Sequence, residues 1–189
     1  CFCASGGFEN FPERLNPWKS GRCAVSLSKH MTHMNWLSQP VSMVESVRHI
    51  YPRTCTIGSW VMNNKHTDWA GVPKKMRPAL MQHGMFSNGR KAENLSHPSG
   101  LMQFDVDTKD NPGLCVADVK RRAANVPGVV LVANSVNGGC WGLAVREADM
   151  DAQLTQLERQ LGVILDKVNS RSMAALRFAA HDAAPYLNT

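Results

Sequence analysis

Asp105 and Asp107 are separated by one residue in LMQFDVDTKD, where an otherwise apolar run predicts a β-strand from Leu101 to Val106. Side chains two residues apart leave a strand on the same face, so the two carboxylates can meet around one or two divalent cations. Hard oxygen donors of this kind suit Mg²⁺ or Mn²⁺. Like charges at one strand end repel unless a cation or a basic group offsets them, which favours a ligand role over a pair of solvated carboxylates. A third carboxylate would complete a two-metal site, the arrangement that stabilises the attacking and leaving oxygens of an in-line phosphoryl displacement. Asp166, at the end of a predicted helix, and Asp182, after the last predicted strand, are the candidates. Spacing alone leaves the choice between them open.

Phosphoryl transfer also needs cations to hold phosphates and a template. Lys74, Lys75, Arg77, Arg90 and Lys91 supply them from a basic, irregular segment, residues 53–100, interleaved with Trp60, Trp69 and Phe86. Lys120, Arg121 and Arg122, near the C-terminal end of a predicted helix, are candidates for template binding. For any one of these side chains an ordinary solvated surface is the competing reading. His181, beside Asp182, can act as an acid or base or contact a nucleotide. Trp60, Trp69 and Trp141 either stack on bases or pack in the core. Cys1, Cys3, Cys23, His30 and His33 match no zinc-ligand spacing, and with Tyr51 and Tyr186 as the only tyrosines no nicking-relaxase arrangement is evident.

The elements that must position these residues are clearest after residue 100. The Leu101–Val106 strand precedes a helix over Leu114–Ala124. A β-branched strand (Gly128–Asn134), the turn SVNGG and a further strand (Cys140–Glu147) then make a hairpin. Asp149 caps a second helix with a buried stripe of Leu154, Leu157, Leu161, Ile164 and Leu165. A last extended piece spans Ala174–Ala180. The order β-α-β-β-α-β is the split βαβ pattern of a ferredoxin-like or RRM-like domain. Upstream, VSMVESVRHIY (Val41–Tyr51) places Met43, Val44, Val47 and Ile50 at helical spacing and predicts a short amphipathic helix ended by Pro52. Residues 1–40, rich in Gly, Pro, Asn and Ser, are predicted to be a loop-rich arm, with residues 41–189 one domain.

Composition narrows the function classes. The 189 residues contain 43% hydrophobic and 19% charged residues, which excludes a disordered tail. Lys and Arg number 21 against 15 for Asp and Glu, and a net charge of +6 suits a polyanionic partner. Cys115 and Cys140 lie in apolar segments, so the six cysteines predict no disulfide framework and a cytoplasmic setting. No apolar run approaches the roughly 20 residues that span a bilayer, and no membrane partner is expected.

The stretches HPSGLMQFDVDTKDNPG, NSVNGGCWGLAVRE and ILDKVNSRSMAALRFAAHDAAPYLN, in that order, resemble the VirE N-terminal-domain family of the archaeo-eukaryotic primase or primase-polymerase superfamily. The upstream WAGVPKKMRPALMQHGMFSNGRKAENL is similar to that family's lead-in, so the resemblance covers about residues 41–189. It implies an α+β fold with an RRM-like (ferredoxin-like) palm over about 99–189 and a loop-rich basic N-terminal module. It implies that Asp105 and Asp107 are the metal-binding Asp-x-Asp motif and that Asp166 is the third metal-binding and catalytic carboxylate. It also implies that Ser135, Gly138 and Gly139 form the nucleotide-binding turn. Trp141 and Gly142 stand where the family carries a phosphate-contacting His or Lys, and Arg171 and Arg177 are offset from the family's later Arg.

The function expected from this reading is template-directed nucleotidyl transfer from nucleoside triphosphates on single-stranded DNA. Arg77, Arg90, Lys91 and His181 would assist nucleotide binding, and Lys74, Lys75, Lys120, Arg121 and Arg122 would hold nucleic acid. The setting would be replication of a bacterial, plasmid or phage element, with a helicase domain or partner. The competing expectation is a catalytically degenerate module that binds single-stranded nucleic acid. A metal-dependent nuclease would use the same carboxylates to activate water.

Overall fold

The computed structural model describes residues 35–188. The Cys1, Cys3, Cys23, His30 and His33 set, and most of the predicted arm, lie outside the described residues. The chain is mixed α+β, with antiparallel sheets and four helices among the described residues.

The first sheet has the order β2-β1-β3-β9, formed by β1 (Pro40–Val44), β2 (Arg53–Thr56), β3 (Ala79–Met81) and β9 (Arg177–Phe178). The helix predicted over Val41–Tyr51 is absent, and its first residues are the strand β1. Val41 and Val44, fully buried, lie in a strand paired on both sides, with β2 and with β3. Tertiary pairing and two β-branched side chains outweigh the helical spacing, which was carried in part by Ile50, an exposed residue. A 3-10 turn at Trp36–Ser38 precedes β1, and Trp36 packs into the core, so these residues of the predicted arm belong to the fold. The basic, irregular segment 53–100 supplies core through Ile57, Trp60, Val61, Leu80, Met81 and Phe86. Helix α1 (Ile57–His66) starts at a capping box between Thr56 and Ser59 and buries Ile57, Trp60 and Val61. A hairpin of β4 (Gly84–Phe86) and β5 (Leu95–Pro98) follows β3. Short apolar pieces of three or four residues are too brief to show a period in the sequence.

The second sheet has the order β10-β7-β8-β6. Strand β6 (Leu101–Val106) pairs with β8 (Cys140–Val145), β8 with β7 (Val129–Asn134), and β7 with β10 (Tyr186–Leu187), all antiparallel. Helices α2 (Val116–Ala123) and α3 (Met150–Leu161) cover one face, where Met102, Phe104 and Val106 of β6 meet Val119, Ala123, Leu154, Leu157 and Leu161. Asp149 caps α3, accepting from the amides of Asp151 and Ala152, and Gly162 ends it at φ +62°. Ile164, counted in the predicted stripe, is exposed. The other face of the sheet packs on the first sheet through Leu101, Leu131, Trp141 and Leu143 against Val41, Trp60, Leu80 and Ala179.

The final strand differs from expectation. Residues 177–178 pair with β3 in the first sheet rather than returning to the sheet of β6. The free edge of β6 is covered instead by helix α4 (Lys167–Arg171), whose start is anchored by the Asp166 amide donating to the Asp105 carbonyl (2.9 Å). The Asp105 amide donates to Ser170 Oγ (3.2 Å).

Candidate active site

Strand β6 has a polar face and an apolar face. Gln103, Asp105 and, just past the strand, Asp107 alternate with Met102, Phe104 and Val106, so the carboxylates leave the side that faces the first sheet. Asp105 and Asp107 open on one cleft of about 140 Å³, lined also by Lys74, Ser135, Asn169 and Arg177. The Lys74 ammonium lies over the Phe178 ring, 5.3 Å from its centroid, which holds this cation at the cleft. Ser135 comes from the β7–β8 turn. Glycine at 139 lets that turn rest on the end of β6, because a Cβ there would fall 2.1 Å from the Val106 carbonyl oxygen.

Asp105 is the more enclosed carboxylate. It is 4% exposed, and its Oδ2 accepts from Arg177 Nη1 (2.6 Å) and from Asn169 Nδ2 (2.9 Å). Arg177 is itself 6% exposed, and its Nε donates to Gln103 Oε1 (2.6 Å). Gln103 also accepts from Gln82 Nε2 and donates to the Asn169 carbonyl (2.6 Å). This network spans both sheets and α4. Asp107 sits at the mouth, paired with the exposed Lys109 (3.1 Å), whose ammonium is held above the usual lysine range by Asp107 first, with Asp110 and Asp166 adding to it. Behind the network lies His83, 1% exposed and without a hydrogen-bond partner on either ring nitrogen. Burial, with Arg146 and Arg177 adding to it and the Leu101 main chain acting against it, pushes its pKa down to about 4.

The predicted third carboxylate, Asp166, lies next to the pair and caps a helix. Asp166 adjoins Asp105 through the main chain, but its Oδ1 accepts from the Asn169 amide (2.9 Å) as the cap of α4. Among the described residues no group of three or more His, Cys, Asp or Glu side chains is arranged to hold a metal ion. At the cleft Asp105 Oδ2 is engaged by Arg177 and Asn169, and Asp107 Oδ2 by Lys109 (3.1 Å). Asp182 is a structural anion. It is 4% exposed and accepts from Lys120 Nζ (2.7 Å) and the Asn134 amide (2.8 Å).

The remaining predicted residues fall into two groups. Arg77, Ser135, Gly138, Gly139 and His181 line one further cleft of about 390 Å³. Arg90 and Lys91 stand apart on the β4–β5 loop, with Lys91 paired to Glu93 (3.6 Å), and Lys75 is exposed beside Lys74. The predicted template patch is dispersed: Lys120 is engaged by Asp182, Arg121 by Asp118 (2.7 Å), and Arg122 by the Leu161 carbonyl at the end of α3. Side chains three consecutive positions long on a helix face different ways, which a run of basic letters hides. Trp60 and Trp141 are buried, and Trp69 donates to Asn64 Oδ1. Gln82, His83, Gln103 and Asn169 were not singled out from the sequence. Only Gln103 carried a signal, as a polar residue two before Asp105 in an apolar strand.

No protein-family model matches the chain, and comparison with curated proteins and with solved structures gives no match. No helix among the described residues is long and apolar enough to cross a membrane.

Proposed function

We propose that the chain is a nucleotidyl transferase of the primase-polymerase kind, with the sheet of β6 serving as an RRM-like palm. The observation that supports this most is the opening of Asp105 and Asp107, from one face of one strand, onto a cleft that also holds Lys74 and Ser135. Mg²⁺ or Mn²⁺, when bound, would supply charge neutralisation for the transferring phosphate and lower the pKa of the attacking hydroxyl. Asp105 and Asp107 would hold it. Asn169 and Arg177 fix the Asp105 carboxylate, and Gln103 fixes Arg177, so the donor set is oriented before substrate arrives. Lys74 adds a positive charge beside the cleft for template or nucleotide phosphate.

The test is primer synthesis and extension on single-stranded DNA with labelled nucleotides and Mg²⁺ or Mn²⁺. The parent is expected to make metal-dependent product and Asp107→Ala to make none. Product from a folded Asp107→Ala protein refutes the assignment. Asp166→Asn keeps the helix cap and is expected to retain synthesis, since the Asp166 side chain is turned to α4.

A second reading is favoured by one observation, the buried bond between Asp105 and Arg177, which already neutralises one of the two carboxylates. It is a degenerate module that binds single-stranded nucleic acid without catalysis. Salt-dependent binding that is indifferent to Mn²⁺, together with no product from the parent, is its signature.

A further inference from the structure

The polar turn that leaves β6, TKDNPG, carries an asparagine whose side chain closes three bonds at once. Asn111 Nδ2 donates to the Asp107 carbonyl (2.9 Å) and to the Ile164 carbonyl (2.9 Å), and its Oδ1 accepts from the Ile164 amide (2.8 Å). Only one orientation of the side-chain amide satisfies this set, because turning it over would set an oxygen against two carbonyl oxygens. An asparagine that merely shapes a turn bonds to main chain within its own loop. Here two of the three bonds reach 53 positions along the chain, so Asn111 pairs with Ile164 as a neighbouring strand would. Pro112, directly after it, narrows the backbone conformations open to Asn111.

What Asn111 joins gives it a role. Two residues beyond Ile164, the Asp166 amide donates to the Asp105 carbonyl, and from the helix that Asp166 caps, Asn169 grips the Asp105 carboxylate. Asp105 is thus held by its own side chain. The Asp107 carboxylate meets the exposed Lys109, a contact that solvent screens, so the placing of Asp107 falls to its main chain. Its carbonyl accepts from Asn111 at 2.9 Å and from the Asp110 amide at 3.3 Å, which makes the Asn111 bond the shorter of the two. One side chain therefore ties the end of β6 to the segment that carries the grip on Asp105.

We infer that Asn111 is a positioning residue that keeps Asp107 in register with Asp105 by bracing the turn after β6 against the connection between α3 and α4. Its effect on synthesis rests on the nucleotidyl-transfer reading, while the brace itself rests on the three bonds.

The experiment is primer extension on single-stranded DNA with Mn²⁺, resolved into kcat and nucleotide KM, together with amide hydrogen exchange of the same proteins followed by NMR. Asn111→Ala removes all three bonds. Asn111→Asp keeps the shape and the acceptor for the Ile164 amide but loses both donations. Both variants are expected to lower kcat by about tenfold to a hundredfold with KM little changed, the mark of misplaced reacting groups rather than lost nucleotide affinity. Exchange of the Asp110 and Asn111 amides is expected to quicken about tenfold in both, as loss of a hydrogen bond does, and that of Ile164 in Asn111→Ala alone. Ser59→Ala breaks the capping box of α1, a helix that does not line the cleft, and is expected to lower the melting midpoint while keeping kcat. Parental kcat in a folded Asn111→Ala protein overturns the role, as does exchange unchanged in both variants. A loss of kcat that Ser59→Ala matches at equal loss of midpoint assigns Asn111 to stability alone and also overturns it. If the parent makes no product, the nucleotidyl-transfer reading fails by itself and exchange decides the brace: quickened exchange upholds it, and parental exchange refutes it.

Discussion

Removing the Asp105 carboxylate strands the Arg177 guanidinium in a place where it is 6% exposed, and breaking a buried pair from one side costs about 3 to 5 kcal/mol. Asp107 faces an exposed lysine, and solvent screens such a contact so that its loss has little effect on stability. Urea unfolding is therefore expected to show a large drop in midpoint for Asp105→Ala and almost none for Asp107→Ala, which makes Asp107 the cleaner probe of chemistry. Equal midpoints would contradict the burial argument. His83 adds a pH dependence. Its folded pKa, about 4, lies below the ordinary 6.5, so the unfolded chain binds the extra proton between these values. Its contribution is full above pH 6.5, declines as pH falls from there, and is spent near pH 4, about 3 kcal/mol in all. Urea midpoints from pH 7.5 to 4.5 should fall for the parent and fall less for His83→Leu. At this scale the Asp pair was legible because a period of two is a local property. Arg177 was not, because its bond to Asp105 crosses 72 positions and depends on how two sheets meet.

The β7–β8 hairpin is the element that joins the two clefts, and it can do so only because Gly139 lets it touch β6. A methyl group there would meet the Val106 carbonyl at 2.1 Å and crowd the Asp107 Cα at 3.4 Å. Gly139→Ala is expected to cost about 1 to 3 kcal/mol and to displace Asp107, lowering synthesis about a hundredfold at temperatures where the protein stays folded. Gly128, at φ +80° with open space around its Cβ position, is the control. Gly128→Ala should cost about 1 kcal/mol of backbone strain and leave synthesis unchanged. Comparing melting curves with extension rates separates the two effects. Elements of the second half were legible from sequence, since β6, β7, β8, α2 and α3 carry five or more residues of clear period, and Asp149 marks a helix start. The first half was not. Its strands run three to five residues, and the valines of β1 fit a helical face as well as a buried central strand until β2 and β3 flank them.

Across the whole molecule, one core lies between the second sheet and its helices and another between the two sheets. The chain visits the sheets in alternation: it leaves the second after β8, enters the first at β9 and comes back at β10. The chain passes repeatedly between the sheets and they share one core, so unfolding is expected to be one transition. Trp36, Trp60 and Trp141 sit in the inter-sheet core and report on it by fluorescence, while far-UV circular dichroism reports on both halves. Coincident denaturation curves are expected, and separated midpoints would mean that the sheets unfold independently. This alternation also orders events on the ribosome. Strands β1, β2 and β3 are synthesised long before Arg177 and Phe178, and until then β3 presents an unpaired edge to any other chain nearby. Asp105 over the same interval lacks its counter-ion. The two residues of β9 thus close the exposed edge and neutralise the buried carboxylate in one late step, so a nascent chain halted before residue 177 would be both adhesive and electrostatically unfinished.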